Sequence, residues 1–123
     1  MQLVLNKCYG GFGLSHKAIV RYFELKNWEM KMSYWDCESS AQVYIEEFDK
    51  SHIISYENED GYFCSSDIER TDSILIQVIN ELGEEVDDWS SRLMIVEIPD
   101  NVEYYISDYD GVESVMRTGS KLA

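Results

Sequence analysis

The chain has 123 residues, 45% of them apolar and 13% aromatic, and a formal net charge of −14. That length and apolar content imply one domain spanning residues 1–123 with a real core, and they exclude a disordered chain despite the charge. So acidic a chain repels nucleic acid and anionic membrane at long range and attracts basic surfaces.

QLVLN, residues 2–6, reads as a short strand. CYGGFGLSH follows, with Gly10, Gly11 and Gly13 crowded at a strand-to-helix junction. Ser15 suits an N-cap, and Ala18, Ile19, Tyr22 and Phe23 fall on one helical face that stops near Asn27. WEMKMSYW alternates as a strand does, and AQVYIEEF reads as a second extended piece in which a helix is also allowed. HIISYENEDGYFC predicts a hairpin turning at Asn58–Gly61, because Asp-Gly between aromatic and β-branched residues favours tight turns.

RTDSILIQVINELG is the clearest helix. Leu75, Val78, Ile79 and Leu82 form its apolar stripe, Thr71 or Asp72 caps its start, and Gly83 ends it. The acidic loop EEVDDWSS leads to a strand, RLMIVEI, which Pro99-Asp100-Asn101 breaks. VEYYISDYDGVESVM closes the chain as a hairpin around Asp110-Gly111. The expected class is therefore α+β, a mostly antiparallel sheet with two helices packed on one face.

The three cysteines, Cys8, Cys37 and Cys64, are odd in number and widely spaced. LVL at residues 3–5 is too short for the apolar core of a secretion signal, and no window approaches a membrane span. The reading is a cytoplasmic chain with free, buried thiols.

The glycine loop admits three readings. Gly10, Gly11 and Gly13 with Ser15, His16 and Lys17 contain the parts of an anion cradle: a strand, a close-approach turn and a helix N-terminus. The spacing lacks the third glycine of a dinucleotide fingerprint and the Gly-Lys-Ser/Thr of a triphosphate loop. A catalytic elbow would pair Cys8 with His16, without a third orienting residue. A structural turn needs only glycine's conformational freedom, and it is the simplest of the three.

No C-x-x-C or H-x-x-H spacing suggests zinc, and Glu81, Glu84 and Glu85 lack the second acidic helix that magnesium chemistry needs. The remaining signal is acid interleaved with tyrosine. YENEDGY holds Glu57, Glu59, Asp60 and Tyr62; VEYYISDYDGVE holds Tyr105, Asp108, Tyr109, Asp110 and Glu113; EEVDDWSS adds Asp87 and Asp88. Rigid rings anchor an interface and carboxylates steer a basic partner. The charge is uneven in the same sense: residues 1–35 hold five bases against two acids, and residues 36–116 hold twenty-two acids against three bases.

LVLNKCYGGFGLSHKA, RTDSILIQVINELGEE and MIVEIPDNVEYYISDYDG together resemble a family of small phage and prophage proteins. The resemblance covers most of the chain except residues 28–60, and its motifs bring no functional residue with them. It implies an accessory protein acting in the cytoplasm of a host bacterium. Small acidic phage proteins without catalytic motifs are often inhibitors of host defence, anti-CRISPR proteins and DNA mimics among them; this is analogy of context alone.

The expected function is a non-enzymatic inhibitor that binds a basic host protein, a nucleic-acid-binding nuclease, through Glu57, Glu59, Asp60, Tyr62, Asp87, Asp88, Tyr105, Asp108, Tyr109 and Asp110. It would contact neither nucleic acid nor membrane, and would need no metal and no cofactor. Self-association is left open. The alternative is a small nucleotide-binding protein, a signal sponge or an enzyme, built on residues 10–17.

Overall fold

The computed structural model describes residues 1–117 and 120–123. Among them, the strands are β1 (Gln2–Asn6), β2 (Lys31–Asp36), β3 (Ala41–Ile45), β4 (Ser55–Asn58), β5 (Gly61–Phe63), β6 (Leu93–Glu97), β7 (Tyr105–Tyr109), β8 (Val112–Arg117) and β9 (Ser120–Lys121). The helices are α1 (His16–Lys26) and α2 (Ser73–Leu82), with short 3-10 turns at Ser65–Asp67 and Gly83–Val86. Every strand pairing is antiparallel, so the α+β class holds. The strands divide among three small sheets, β1-β6, β3-β2-β4-β5 and β7-β8-β9.

β1 is the axis of the molecule. Leu3, Val4, Leu5 and Asn6 are all fully buried, so both faces of this strand are covered. Val4 faces the core that α1 and α2 supply through Ala18, Ile19, Tyr22, Phe23, Leu75, Val78 and Ile79. Leu3 and Leu5 face a second core, closed by Ile98 and Val115. This is the period-two alternation of a strand, with apolar residues pointing both ways.

The helix ends obey local chemistry. Ser15 Oγ accepts from the Ala18 amide at 3.2 Å, and Asn27 ends α1 in the left-handed region at φ 59°. Asp72 Oδ1 accepts from the amides of Ile74 and Leu75 at 2.8 and 3.2 Å. Its other oxygen takes the Tyr22 hydroxyl at 2.8 Å. Burial pushes the Asp72 carboxyl up, but Tyr22, the two amides and Lys26 outweigh it and hold the group below its ordinary value.

Three local expectations change. The strand expected from His52 begins only at Ser55, because Asp49 accepts from the Ser51 amide and pairs with His52, closing a turn in place of a ladder. AQVYIEEF is extended, and its strand ends at Ile45. The thiols are free as expected but not buried: Cys37 and Cys64 are exposed and Cys8 is half-buried. Among the described residues, no helix is long and apolar enough to cross a membrane.

Candidate protein interface around the glycine loop

The glycine loop is clamped between two acidic turns. Gly10 has φ +125°, and a Cβ there would meet Ser90 at 2.9 Å. A Cβ on Gly13 would strike the Asp88 carboxylate, and one on Gly111 would strike the backbone nitrogens of Gly10 and Gly11. The Gly10 amide donates to the Asp110 carbonyl at 3.2 Å, and Ser91 Oγ donates to the Gly13 carbonyl at 2.8 Å. Three chain segments, 8–14, 87–91 and 110–111, pass one another at near-contact of their backbones, and glycine is what permits it.

Asn6 ties these segments together. Its Nδ2 donates to the Cys8 and Gly111 carbonyls at 2.9 and 2.7 Å, and its Oδ1 accepts from the Arg92 amide at 2.8 Å. Below it, Arg70 forms a two-pronged ion pair with Glu113, whose Oε1 also accepts from the Asn6 amide at 2.8 Å. The Arg70 guanidinium lies 3.8 Å from the centroid of the Phe12 ring. Glu113, expected in the acidic surface, is thus a buried structural group with a side chain only 5% exposed. Strand alternation brought it inward, where Arg70 compensates its charge.

Three of the six residues expected to cradle a phosphate, Gly13, Ser15 and Lys17, are engaged by residues 85–88 instead. The Ser15 amide donates to the Val86 carbonyl at 2.9 Å, Ser15 Oγ donates to the Glu85 carbonyl at 2.6 Å, and Lys17 pairs with the Glu85 carboxylate at 2.7 Å. With Asp88 seated against Gly13, the electrostatics at this helix end have the wrong sign for an anion. Cys8 Sγ donates to the Tyr9 carbonyl, whereas His16 Nδ1 pairs with the Tyr56 hydroxyl at 2.9 Å, so the bonds of thiol and imidazole run to different partners. Burial lowers the His16 pKa and raises that of Tyr56 to about 12.

The ten expected interface residues fall into two groups. Asp87 and Asp88 belong to one turn against the glycine loop; Asp110 belongs to the hairpin turn that also meets it, and Asp108, near the end of β7, accepts from the Gly111 amide of that turn. Tyr105 and Tyr109 stand on the same face of β7, 53% and 73% exposed. These turns are rigidly made: Asp87 Oδ1 accepts from the Leu93 amide at 2.7 Å, Asp88 Oδ1 from the Ser90 amide at 2.8 Å, and Asp108 Oδ1 from the Gly111 amide at 2.7 Å.

Glu57, Glu59, Asp60 and Tyr62 form the second group, on the β4–β5 hairpin. Glu57 is engaged by Gln42 Nε2 at 2.9 Å and the Tyr44 hydroxyl at 3.4 Å. Asp60 and Tyr62 line a groove of about 320 Å³ shared with Tyr22, Trp28, Asp67 and Asp72. Among the described residues, no hydrogen bond or ion pair joins this hairpin to the first group.

One feature is absent from the sequence reading. Ser15, His16 and Lys17, with Asp87 and Asp88, line a cleft of about 820 Å³ together with Phe48, Ile53 and Trp89. Its pieces lie far apart in sequence, and the local signal is a tryptophan inside an acidic loop. Among the described residues, no group of three or more His, Cys, Asp or Glu is placed to hold a metal ion. No family model matches this chain, and no curated protein or solved structure matches it.

Proposed function

We propose that the chain is a phage-encoded binding protein that acts in the bacterial cytoplasm by occupying the nucleic-acid groove of a basic host defence effector, a nuclease. The observation that carries this reading is that two acidic turns, one with Asp87 and Asp88 and one with Asp108 and Asp110, meet at one clamped loop, while β7 exposes Tyr105 and Tyr109 on its outer face. Asp87 and Asp108 each spend one oxygen on a backbone amide and keep the other for a guanidinium or ammonium group. Carboxylates held on pinned turns beside aromatic rings reproduce the chemistry of phosphates beside bases. Preset turns also lower the ordering cost of association.

The test is capture from a host lysate with the wild-type chain and with Asp87→Asn, Asp108→Asn, Asp110→Asn in one variant. Asparagine keeps the side-chain acceptor used at Asp87 and Asp108 and, at Asp110 with φ 50°, tolerates the left-handed backbone. A stoichiometric basic nucleic-acid-handling protein retained by the wild type and lost by the variant supports the proposal. No such partner, or equal retention by both chains, contradicts it.

A further inference from the structure

Trp89 is 97% exposed and Ile53 is 94% exposed, the two most solvent-bared large apolar side chains among the described residues. They face one cleft, floored by His16 and Phe48, whose rings stack at 4.1 Å with 11° between planes. The turn that presents the Trp89 indole is closed by hydrogen bonds. It is held by Asp88 Oδ1 accepting from the Ser90 amide and hydroxyl, by Ser91 Oγ accepting from the Asp88 amide at 3.0 Å, and by the Ser91 bond to Gly13. The backbone on either side is anchored at Ser15–Val86 and Asp87–Leu93. A tryptophan displayed on a hydrogen-bonded turn and left almost wholly exposed suits an interface anchor.

The lining differs in charge from end to end. Asp87 and Asp88 stand beside Trp89, with Glu85 neutralised by Lys17; Lys50 stands near Ile53, where His52 is paired with Asp49. We infer that this cleft is a docking site for an apolar side chain, presented on a lysine- or arginine-rich segment of a protein partner, with the apolar group held between Trp89 and Ile53 and the flanking cations on Asp87 and Asp88. The inference rests on the proposed basic partner and names the segment of it that is recognised. Electrostatics would supply attraction over the whole acidic face, and the cleft would supply selectivity.

The test uses the full chain and two synthetic 14-residue peptides. One carries lysines with three leucines spaced along one helical face; the other has serine at the leucine positions. The leucine peptide is expected to bind about tenfold tighter, the return on burying one aliphatic side chain. In Trp89→Ala and Ile53→Ser chains that advantage disappears while the affinity for the serine peptide is unchanged. Both residues are too exposed to be needed for folding, and thermal melts check this. Amide shifts in the wild type should concentrate at residues 15–17, 48–53 and 85–90. Equal affinity for the two peptides, an advantage that survives Trp89→Ala, or shifts confined to residues 57–62 overturns the cleft and leaves the acidic-surface proposal standing. Failure of both basic peptides to bind contradicts that proposal and the cleft with it.

Discussion

Arg70 and Glu113 pair across the back of the glycine loop, and the same Glu113 oxygen that meets Arg70 accepts the amide of Asn6. The ion pair therefore fixes the end of β1, the start of β8 and the Phe12 ring in one place. Removing one partner leaves the other charge buried, at a cost of about 3 kcal/mol. Glu113→Gln should show this as a lower urea midpoint with an unchanged slope. Arg70→Met in the same chain should recover part of the loss, because the glutamine oxygen still accepts the Asn6 amide while no unpaired charge remains. A double variant less stable than Glu113→Gln would contradict the role given to the pair.

The glycines should rank by what a methyl group would meet. Gly111→Ala drives a Cβ into the backbone of Gly10 and Gly11 at φ +95°, so neither strain nor contact can relax. Gly13→Ala meets a side chain, and should cost about 1–3 kcal/mol. Asp88→Ser in the same chain should restore much of it, since serine is shorter yet keeps an oxygen for the Ser90 amide. Gly11→Ala has open space and pays only for φ +101°, about 1 kcal/mol. Chemical denaturation of the three variants gives the order, and a Gly11→Ala chain as unstable as Gly111→Ala would refute it.

His16 should report on acidification. Burial lowers its pKa below the ordinary 6.5, so the folded chain binds fewer protons than the unfolded chain in that range. The stability it contributes is present above about pH 6.5 and is lost as pH falls through the folded-state value. Carboxylates titrate lower, and the difference between the wild type and a His16 variant between pH 6.5 and pH 5 singles out this imidazole. The wild type should lose melting temperature across that window, and His16→Gln should lose less. Imidazole resonances that titrate above 6.5 would reverse the sign.

A panel of nucleotides should leave the melting temperature unchanged. Ser15, Lys17 and Gly13 are committed to Glu85 and Asp88, and a phosphate entering there would displace an ion pair and approach carboxylates. A shift of several degrees, abolished by Lys17→Ala, would restore the anion-cradle reading.

What the sequence makes legible follows from how local the cause is. Both helices, β1 and the turn at Asp110-Gly111 rest on caps, apolar spacing and turn residues a few positions apart, and they stand where expected. Glu113 looks like any outward strand acid until Arg70, forty-three positions away, turns it inward. The glycine loop is legible as a close approach, but not what approaches it, because Ser90 and Gly111 arrive from the far end of the chain. The Trp89 cleft is assembled from residues 16, 48–53 and 85–89, and no short window contains it. His52 and Ile53 carry strand-like composition, yet the Asp49 turn captures that segment first.

The most direct measurement is competition on the captured host protein, with a labelled DNA duplex bound to it and this chain titrated in. An acidic surface that occupies the nucleic-acid groove predicts stoichiometric displacement by the wild type, weakened about tenfold or more in the Asp87→Asn, Asp108→Asn, Asp110→Asn chain and reduced by added salt. A ternary complex that retains the duplex, or displacement indifferent to the three carboxylates, would contradict it.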